Sequence, residues 1–286
     1  MDMIIAQCFV EFIFYSFLGW VWESVFCTAK EKKWADRGFL FGPVCPIYGS
    51  CVVALILLFG RVPILSDPAF PIWLIFIICY VGSAIAEFVT SWYLEKRFHA
   101  RWWDYSRLPL NIQGRICVPV SICFGLVGIL VVKYLIPFAS MMHATIPGIV
   151  YETLAIILAA AFGADFALTE ASLSALLRDV EKLHTEFVER AQSGYEKIYG
   201  EVVSIETKMN QDKLAIEERM NEIKTSLTRI HAGQLSFNQK RILASIQRFM
   251  PDKRRTSDQN KDQLMFISEL KRLVRKQGTD SEQEQG

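Results

Sequence analysis

Five apolar runs within the first 168 residues constrain this chain more than any other feature, because each is long enough to cross a bilayer. A helical span needs about 20 such residues to cover ~30 Å of hydrocarbon. In lipid, every backbone polar group must find its partner within the protein, which leaves the helix as the available form for separate apolar runs of this length. The runs are Ile4 to Cys27, Cys45 to about Leu65, Pro71 to Tyr93, Ile116 to Phe138, and Pro147 to Leu168. Arg61 and Pro63 interrupt the far end of the second. The expected fold class is all-α, a polytopic membrane helix bundle of about five transmembrane helices. The first run has no basic leader and no small-residue cleavage site, and its 24 residues exceed a signal-peptide core, so it is expected to remain as a span.

Charge sets the expected orientation. The connection after the first run carries Lys30, Lys32, Lys33 and Arg37, and the one after the third carries Lys96, Arg97, Arg101, Arg107 and Arg115. The two short hairpin connections offer only Arg61 and Lys133. Positive-inside bias places both long connections in the cytoplasm. Five spans then put the N-terminus outside and the C-terminal tail inside. The net charge of +1 conceals this local asymmetry.

Beyond Glu170 the chain is charged and polar, with no Trp and no Cys. Leu173, Leu176, Val180, Leu183 and Phe187 keep a 3–4 spacing, and Val202, Met209, Ile216, Ile223 and Ile230 recur every seven residues. This pattern predicts an amphipathic or irregular coiled-coil helix that self-associates, folds back or binds a partner. Gly194 and Gly200 are candidate interruptions. Pro251 ends a further helical piece, an amphipathic stretch follows from about Gln263 to Lys276, and the Gln/Glu/Gly end reads as disordered. The expected domains are 1–168 in the membrane, 169–235 as a coiled-coil-like helix, and 236–286 as short amphipathic helices with a disordered end.

All seven cysteines lie within or beside apolar runs, where small helix-packing side chains are the expectation. The sequence requires no cofactor and no metal. Trp20, Trp22, Trp73, Trp92, Tyr93, Trp102 and Trp103 fall near the ends of the runs and read as interfacial anchors.

Ionisable residues within spans are expensive and are functional candidates by default. Glu23 and Glu87 lie in the inner halves of the first and third spans, while Glu11 and Glu152 lie in the outer halves of the first and fifth. Asp165 sits near the inner end of the fifth, where it marks the exit from the membrane. Arg37, Asp104, Asn111 and Arg115 sit at or just below the cytoplasmic mouth. Pairing of Glu23 and Glu87 with Arg37 and Arg115 would line a polar cavity open to the cytoplasm. Two readings stay open for that network: a substrate or proton site, or salt bridges that fix helix register. Glu95 reads as a solvated interfacial residue.

The membrane half also resembles itself. Each half has a helix with an inner carboxylate, a basic loop with Trp and Asp, and a Gly/Pro-rich lead-in, Gly38 through Gly49 or Gly114 through Gly125. Such a parallel repeat is a plan that transporters use. Gly38, Gly42, Pro43 and Pro46 break regular helix, and irregular backbone at membrane depth survives only where protein or water satisfies it.

Phe17-Leu-Gly-Trp-Val-Trp-Glu23, Arg37-Gly-Phe-Leu-Phe-Gly-Pro43, Pro46-Ile-Tyr-Gly49, Trp103-Asp-Tyr-Ser106 and Asn111-Ile-Gln-Gly-Arg115 carry a family resemblance. They resemble the bacterial permease family titled "Putative ABC-transporter type IV", over roughly Phe9 to Phe138. Phe124 departs from the family pattern, which has Trp there. Glu23, Arg37, Asp104, Asn111 and Arg115 occupy its polar motif positions. The resemblance implies a permease-like transporter component of a bacterial inner membrane. Against the permease name, the chain has no Gly-x4-Gly-Lys-Ser/Thr phosphate loop and cannot energise transport by itself, so a separate ATPase subunit would be needed.

Three functions follow as expectations. The first is a permease-like component with a cytoplasm-facing polar cavity, working with other subunits and surrounded by membrane lipids. The second is a membrane scaffold or sensor whose tail recruits partners. The third is an enzyme on lipid phosphates, using the basic residues near Asp104 and Tyr105, although no nucleophile–base pair supports it. Nucleic acid is not an expected partner, because positive-inside bias already accounts for the basic clusters.

Overall fold

The computed structural model describes residues 3–31, 38–67, 69–203, 235–251, 260 and 263–274. It divides into two compact units, Met1–Glu170 and Ala171–Gly286.

The first unit is a helix bundle. Its helices are α1 (Met3–Glu31), α2 (Pro46–Arg61), the single turn α3 (Pro63–Ser66), α4 (Ile72–Phe98), α5 (Val118–Leu130), α6 (Ile136–Thr145) and the start of α7 (Gly148–Val203). Two-residue extended segments lie between α4 and α5: β1 (Ala100–Arg101), β2 (Asn111–Ile112) and β3 (Ile116–Cys117). Among the described residues, four helical stretches are long and apolar enough to cross a membrane: Met3–Ala29, Ile72–Phe98, Val118–Thr145 and Gly148–Lys182. The second expected span is shorter, the 16 residues of α2. Its lead-in over residues 38–45 is irregular, and at Val62 the backbone turns extended before Pro63. The protein is a multi-pass membrane helix bundle. Its outward side chains, such as Phe14, Trp22, Ile85 and Leu126, are apolar and exposed, as a lipid-facing surface requires.

The fourth span runs further than its apolar core suggests. α5 passes through a π-helical turn, Val131–Leu135, into α6. Pro137 lacks an N–H and its ring crowds the preceding turn, so the ladder widens there and the Ile136 N–H bonds to the Val131 carbonyl. Residues Val118–Thr145 thus form one membrane-length element.

Small residues let the helices approach. The tightest is Gly49 on α2, where a Cβ would lie 2.2 Å from the Phe12 carbonyl oxygen and the Ser16 Oγ of α1. On the α4–α5 side, Gly128 leaves room for the Cys79 side chain, which a Cβ would meet at 2.3 Å. Close helix packing through small residues is how membrane helices gain van der Waals contact. The two lead-in helices therefore each lock onto the helix before them, α2 on α1 and α5 on α4. A third contact joins α1 to α7 through Ala6, Tyr151 and Ala155.

α7 is 56 residues long, and it passes Gly194 and Gly200 without a break. In the second unit, Leu173, Leu176 and Val180 of α7 are buried, as are Leu235, Ile242, Leu243, Ile246, Phe266, Ile267, Leu270 and Val274. The helix α8 (Phe237–Ser245) begins with a reciprocal cap between Ser236 and Gln239 and stops before Ile246. Arg248–Phe249 is extended (β4), and residues 263–274 are helical. Gln239 donates to Asp179 at 2.7 Å, and the Lys271 ammonium donates to the Ile246 carbonyl. Most of the seven-residue repeat, from Met209 to Ile230, lies outside the described residues, as does the Gln/Glu/Gly end.

Candidate functional site

The site is built from α4 outward. Glu87, Ser91 and Glu95 recur every four residues, which places them on one helical stripe. Glu87 is 6% exposed and Ser91 is 3% exposed. His99, in the left-handed conformation at φ 49°, ends α4 and turns the chain back across that stripe.

The returning loop is held by its own side chains. The Asp104 carboxylate accepts from the Ser106 N–H at 3.0 Å. Asn111 donates to the Leu108 carbonyl at 2.7 Å and accepts from the Gly114 N–H at 3.0 Å. β2 and β3 pair antiparallel, with Asn111 opposite Cys117 and Ile112 opposite Ile116. Gly114, at φ +69°, has a second reason to be glycine: a Cβ there would meet Asp104 Oδ1 at 2.6 Å. The Tyr105 N–H bonds to the Gly114 carbonyl at 2.8 Å, which fixes Tyr105 where its hydroxyl donates to Glu87 Oε1 at 3.2 Å. Asp104 and Asn111 thus serve the loop that positions Tyr105.

Beside this contact is a second cluster, organised by Glu95. Arg115 meets Glu95 at 3.0 Å, and the Arg101 Nε also donates to that carboxylate. Arg115 further donates to Gln113 Oε1 at 3.2 Å and to Ser91 Oγ at 3.4 Å, and lies over the Phe88 ring at 5.6 Å. The Trp103 indole N–H bonds to the Arg115 carbonyl at 3.0 Å. Both guanidinium groups are buried, and one carboxylate neutralises part of their charge.

α1 and α2 supply a second carboxylate–tyrosine contact. The Tyr48 hydroxyl of α2 donates to Glu23 Oε1 of α1, and Cys27 lies 4.0 Å from Glu23 Oε2. The Tyr48 ring faces Phe124 of α5, with centroids 6.0 Å apart. Burial pushes the Tyr105 hydroxyl well above the usual tyrosine range, and the charges of Glu87 and then Glu23 push it further. Tyr105 is therefore a committed donor, and Glu23 lies close enough to act on it. The arrangement is two carboxylates, each holding a tyrosine hydroxyl, one on α1 and one on α4. Glu87 Oε2 is buried and accepts no hydrogen bond.

All of these residues fall within one recognised segment. The family titled "Putative ABC-transporter type IV" matches residues 10–170, more than half of the chain. The chain belongs to this family. No curated protein and no solved structure matches it. As a member of the ABC-transporter type IV family with membrane-length apolar helices, it is a transporter-like membrane protein. The family match extends past Phe138 to residue 170 and so takes in Asp165.

Several residues sit otherwise than their spacing in this family member suggests. Arg115 pairs with Glu95 and not with Glu87, because the β2–β3 turn delivers it one helical turn or more beyond Glu87 on the α4 stripe. Glu95 is accordingly an ion-pair centre, with a side chain 21% exposed, and not a solvated interfacial group. Asp165 accepts from the backbone N–H groups of Phe41 and Gly42, so it caps the lead-in to α2 as well as marking a helix end. Trp22, Trp73, Trp92 and Tyr93 are exposed as anchors would be, but Trp103 is tied into the site. Arg37 lies outside the described residues, as do Lys32, Lys33, Trp34 and Asp36.

The remaining intramembrane carboxylates lie apart from this cluster in sequence and partners. Glu11 is buried and meets His143 Nε2 at 2.7 Å, with the Tyr151 ring 5.1 Å from the imidazole. Glu152, next to Tyr151, is partly exposed. His143 was not distinguishable in the sequence, since nothing near it in the chain is polar enough to announce a pair. The Glu95 role was signalled by its four-residue spacing from Ser91 and Glu87.

Proposed function

We propose that this protein is a permease-like transport component whose substrate passes the Glu23–Glu87 pair, in a polar cavity that opens to the cytoplasm. The observation that carries the reading is that two carboxylates on different helices, Glu23 of α1 and Glu87 of α4, each accept a tyrosine hydroxyl, and the charges of both act on the Tyr105 hydroxyl. Intramembrane carboxylates are costly, and a purely structural pair would be expected to find cationic partners. Among the described residues, Arg101 and Arg115 instead meet Glu95, and Glu23 and Glu87 each accept a tyrosine hydroxyl. Positive-inside bias of the loops after α1 and α4 supports a cytoplasmic tail, and the family supports a bacterial inner-membrane location. Energy would come from a separate ATPase subunit, since this chain has no phosphate loop.

The test is rescue of a deletion strain. Glu23→Gln and Glu87→Gln are expected to reach the membrane at normal levels and to fail to restore the deletion phenotype. Full rescue by both variants would remove the pair from the transport path.

A second reading concerns the tail. Its buried set around Leu173, Leu176, Leu243 and Leu270, with the Gln239–Asp179 bond, gives residues 171–286 a core of their own. A compact tail suits a domain that recruits the ATPase or another cytoplasmic partner. The lipid-phosphate enzyme reading is weaker, because Arg101 and Arg115 already serve Glu95.

A further inference from the structure

We infer that the Glu23–Glu87 pair binds an organic cation, recognising an ammonium or guanidinium group of the transported substrate. This rests on the reading of the pair as the substrate site and adds the chemistry of what it takes.

Among the described residues the pair lacks a countercharge. Glu87 is more than nine-tenths buried, its Oε1 receives only the Tyr105 hydroxyl, and its Oε2 has no hydrogen-bond partner. Glu23 receives the Tyr48 hydroxyl and the weak Cys27 thiol. Among the described residues no Lys, Arg or His pairs with either carboxylate. The nearby cations are committed elsewhere: Arg101 and Arg115 to Glu95, and Arg97 to Glu170. Two carboxylates in a low-dielectric site repel one another, and a bare ionised oxygen there is strongly unfavourable. A positive charge from outside the chain relieves both effects at once.

The surroundings favour an organic cation over a metal ion. Among the described residues, no group of three or more His, Cys, Asp and Glu comes together to hold a metal. The tyrosine hydroxyls are used as donors to the carboxylates, so they are not turned outward as ligands. What the site offers is charge beside aromatic side chains: Tyr48, whose ring packs with Phe124, bonds Glu23, and Tyr105 bonds Glu87. Carboxylates with aromatic walls suit ammonium and guanidinium groups, through charge-assisted hydrogen bonds and cation–π contact. An anionic substrate would meet two negative charges.

The test uses the full-length protein in detergent at pH 8, with spermidine and methylguanidinium as probes. Sodium chloride at matched ionic strength and inorganic phosphate serve as comparisons. A saturable rise in the unfolding midpoint is expected with at least one organic cation and with neither comparison. Glu23→Gln and Glu87→Gln should each abolish the rise, while Glu87→Asp, which keeps the charge, retains it. No rise with either cation, an equal rise with sodium, or an undiminished rise in the Gln variants overturns the inference. The two claims separate cleanly. Loss of deletion-strain rescue without cation binding defeats the cation and keeps the substrate site; cation binding with full rescue by the Gln variants defeats the substrate site.

Discussion

Asp165 of α7 accepts the backbone N–H groups of both Phe41 and Gly42, at 3.0 and 2.9 Å, while Thr169 one turn later lies within 3.2 Å of the same Phe41 nitrogen. The last membrane helix thereby supplies the partners that an irregular backbone needs before α2 begins. Thr169 is fully buried, so water is a poor substitute there. Asp165→Ala leaves the Gly42 N–H without its acceptor and the Phe41 N–H with Thr169 in place of two partners, and should cost about 1–3 kcal/mol. The checks are a lower unfolding midpoint and faster hydrogen exchange in a peptide covering residues 38–45. Asp165→Asn, which keeps one carbonyl acceptor, should fall between.

Helix approach gives a sharper contrast, because two glycines of α2 differ completely in their surroundings. At Gly49 a methyl group would strike the Phe12 carbonyl and Ser16, whereas at Gly60 nothing lies within 4 Å. Gly49→Ala should destabilise by more than about 2 kcal/mol, since backbone cannot move aside as a flexible side chain can. Gly60→Ala should be neutral or slightly stabilising through helix propensity. Paired thermal unfolding of the two variants in detergent decides the point.

Glu95 holds two arginines, so removing its charge affects both. Glu95→Gln leaves Arg101 and Arg115 buried without their carboxylate and should cost about 3–5 kcal/mol. A double-mutant cycle with Arg115→Gln should show strong non-additivity, because the two residues share one network. Additive losses would mean that the pair contributes little as a pair.

Topology is testable independently of the site. A phosphatase reporter inserted at Asp67, in the connection between α3 and α4, should be active outside the cytoplasm. The same reporter after Arg107 should be inactive, while a cytoplasm-active reporter there should function. The opposite pattern would reverse the orientation drawn from Lys and Arg placement.

Much of the architecture was legible because lipid imposes long apolar runs, and runs of that length have few alternatives. The broken lead-in to α2 was also visible, since Gly38, Gly42, Pro43 and Pro46 forbid a regular helix. Glu23 and Glu87 stood out because a carboxylate in an apolar run is rare. Their partners did not stand out. Tyr48 and Tyr105 look like ordinary aromatic residues until the loop geometry aims their hydroxyls at the carboxylates. Pairing of Arg115 depended on where the β2–β3 turn sets the chain down, which residue spacing does not encode. Glu11 and His143 are 132 positions apart, and only the folded bundle brings them to 2.7 Å. The reach of α7 past Leu168 was hidden for the opposite reason: the composition changes there while helix propensity does not, so the helix continues.

The central claim, that Glu23 and Glu87 are reached from the cytoplasm, is tested most directly by reagent access. In a chain whose seven native cysteines are replaced by serine, Glu87→Cys is exposed to membrane-impermeant methanethiosulfonates in vesicles of known sidedness. The account predicts modification in inside-out vesicles, faster with the trimethylammonium reagent than with the anionic sulfonate because Glu23 remains charged. Absence of modification from the cytoplasmic side, or modification only from the outside, would contradict it.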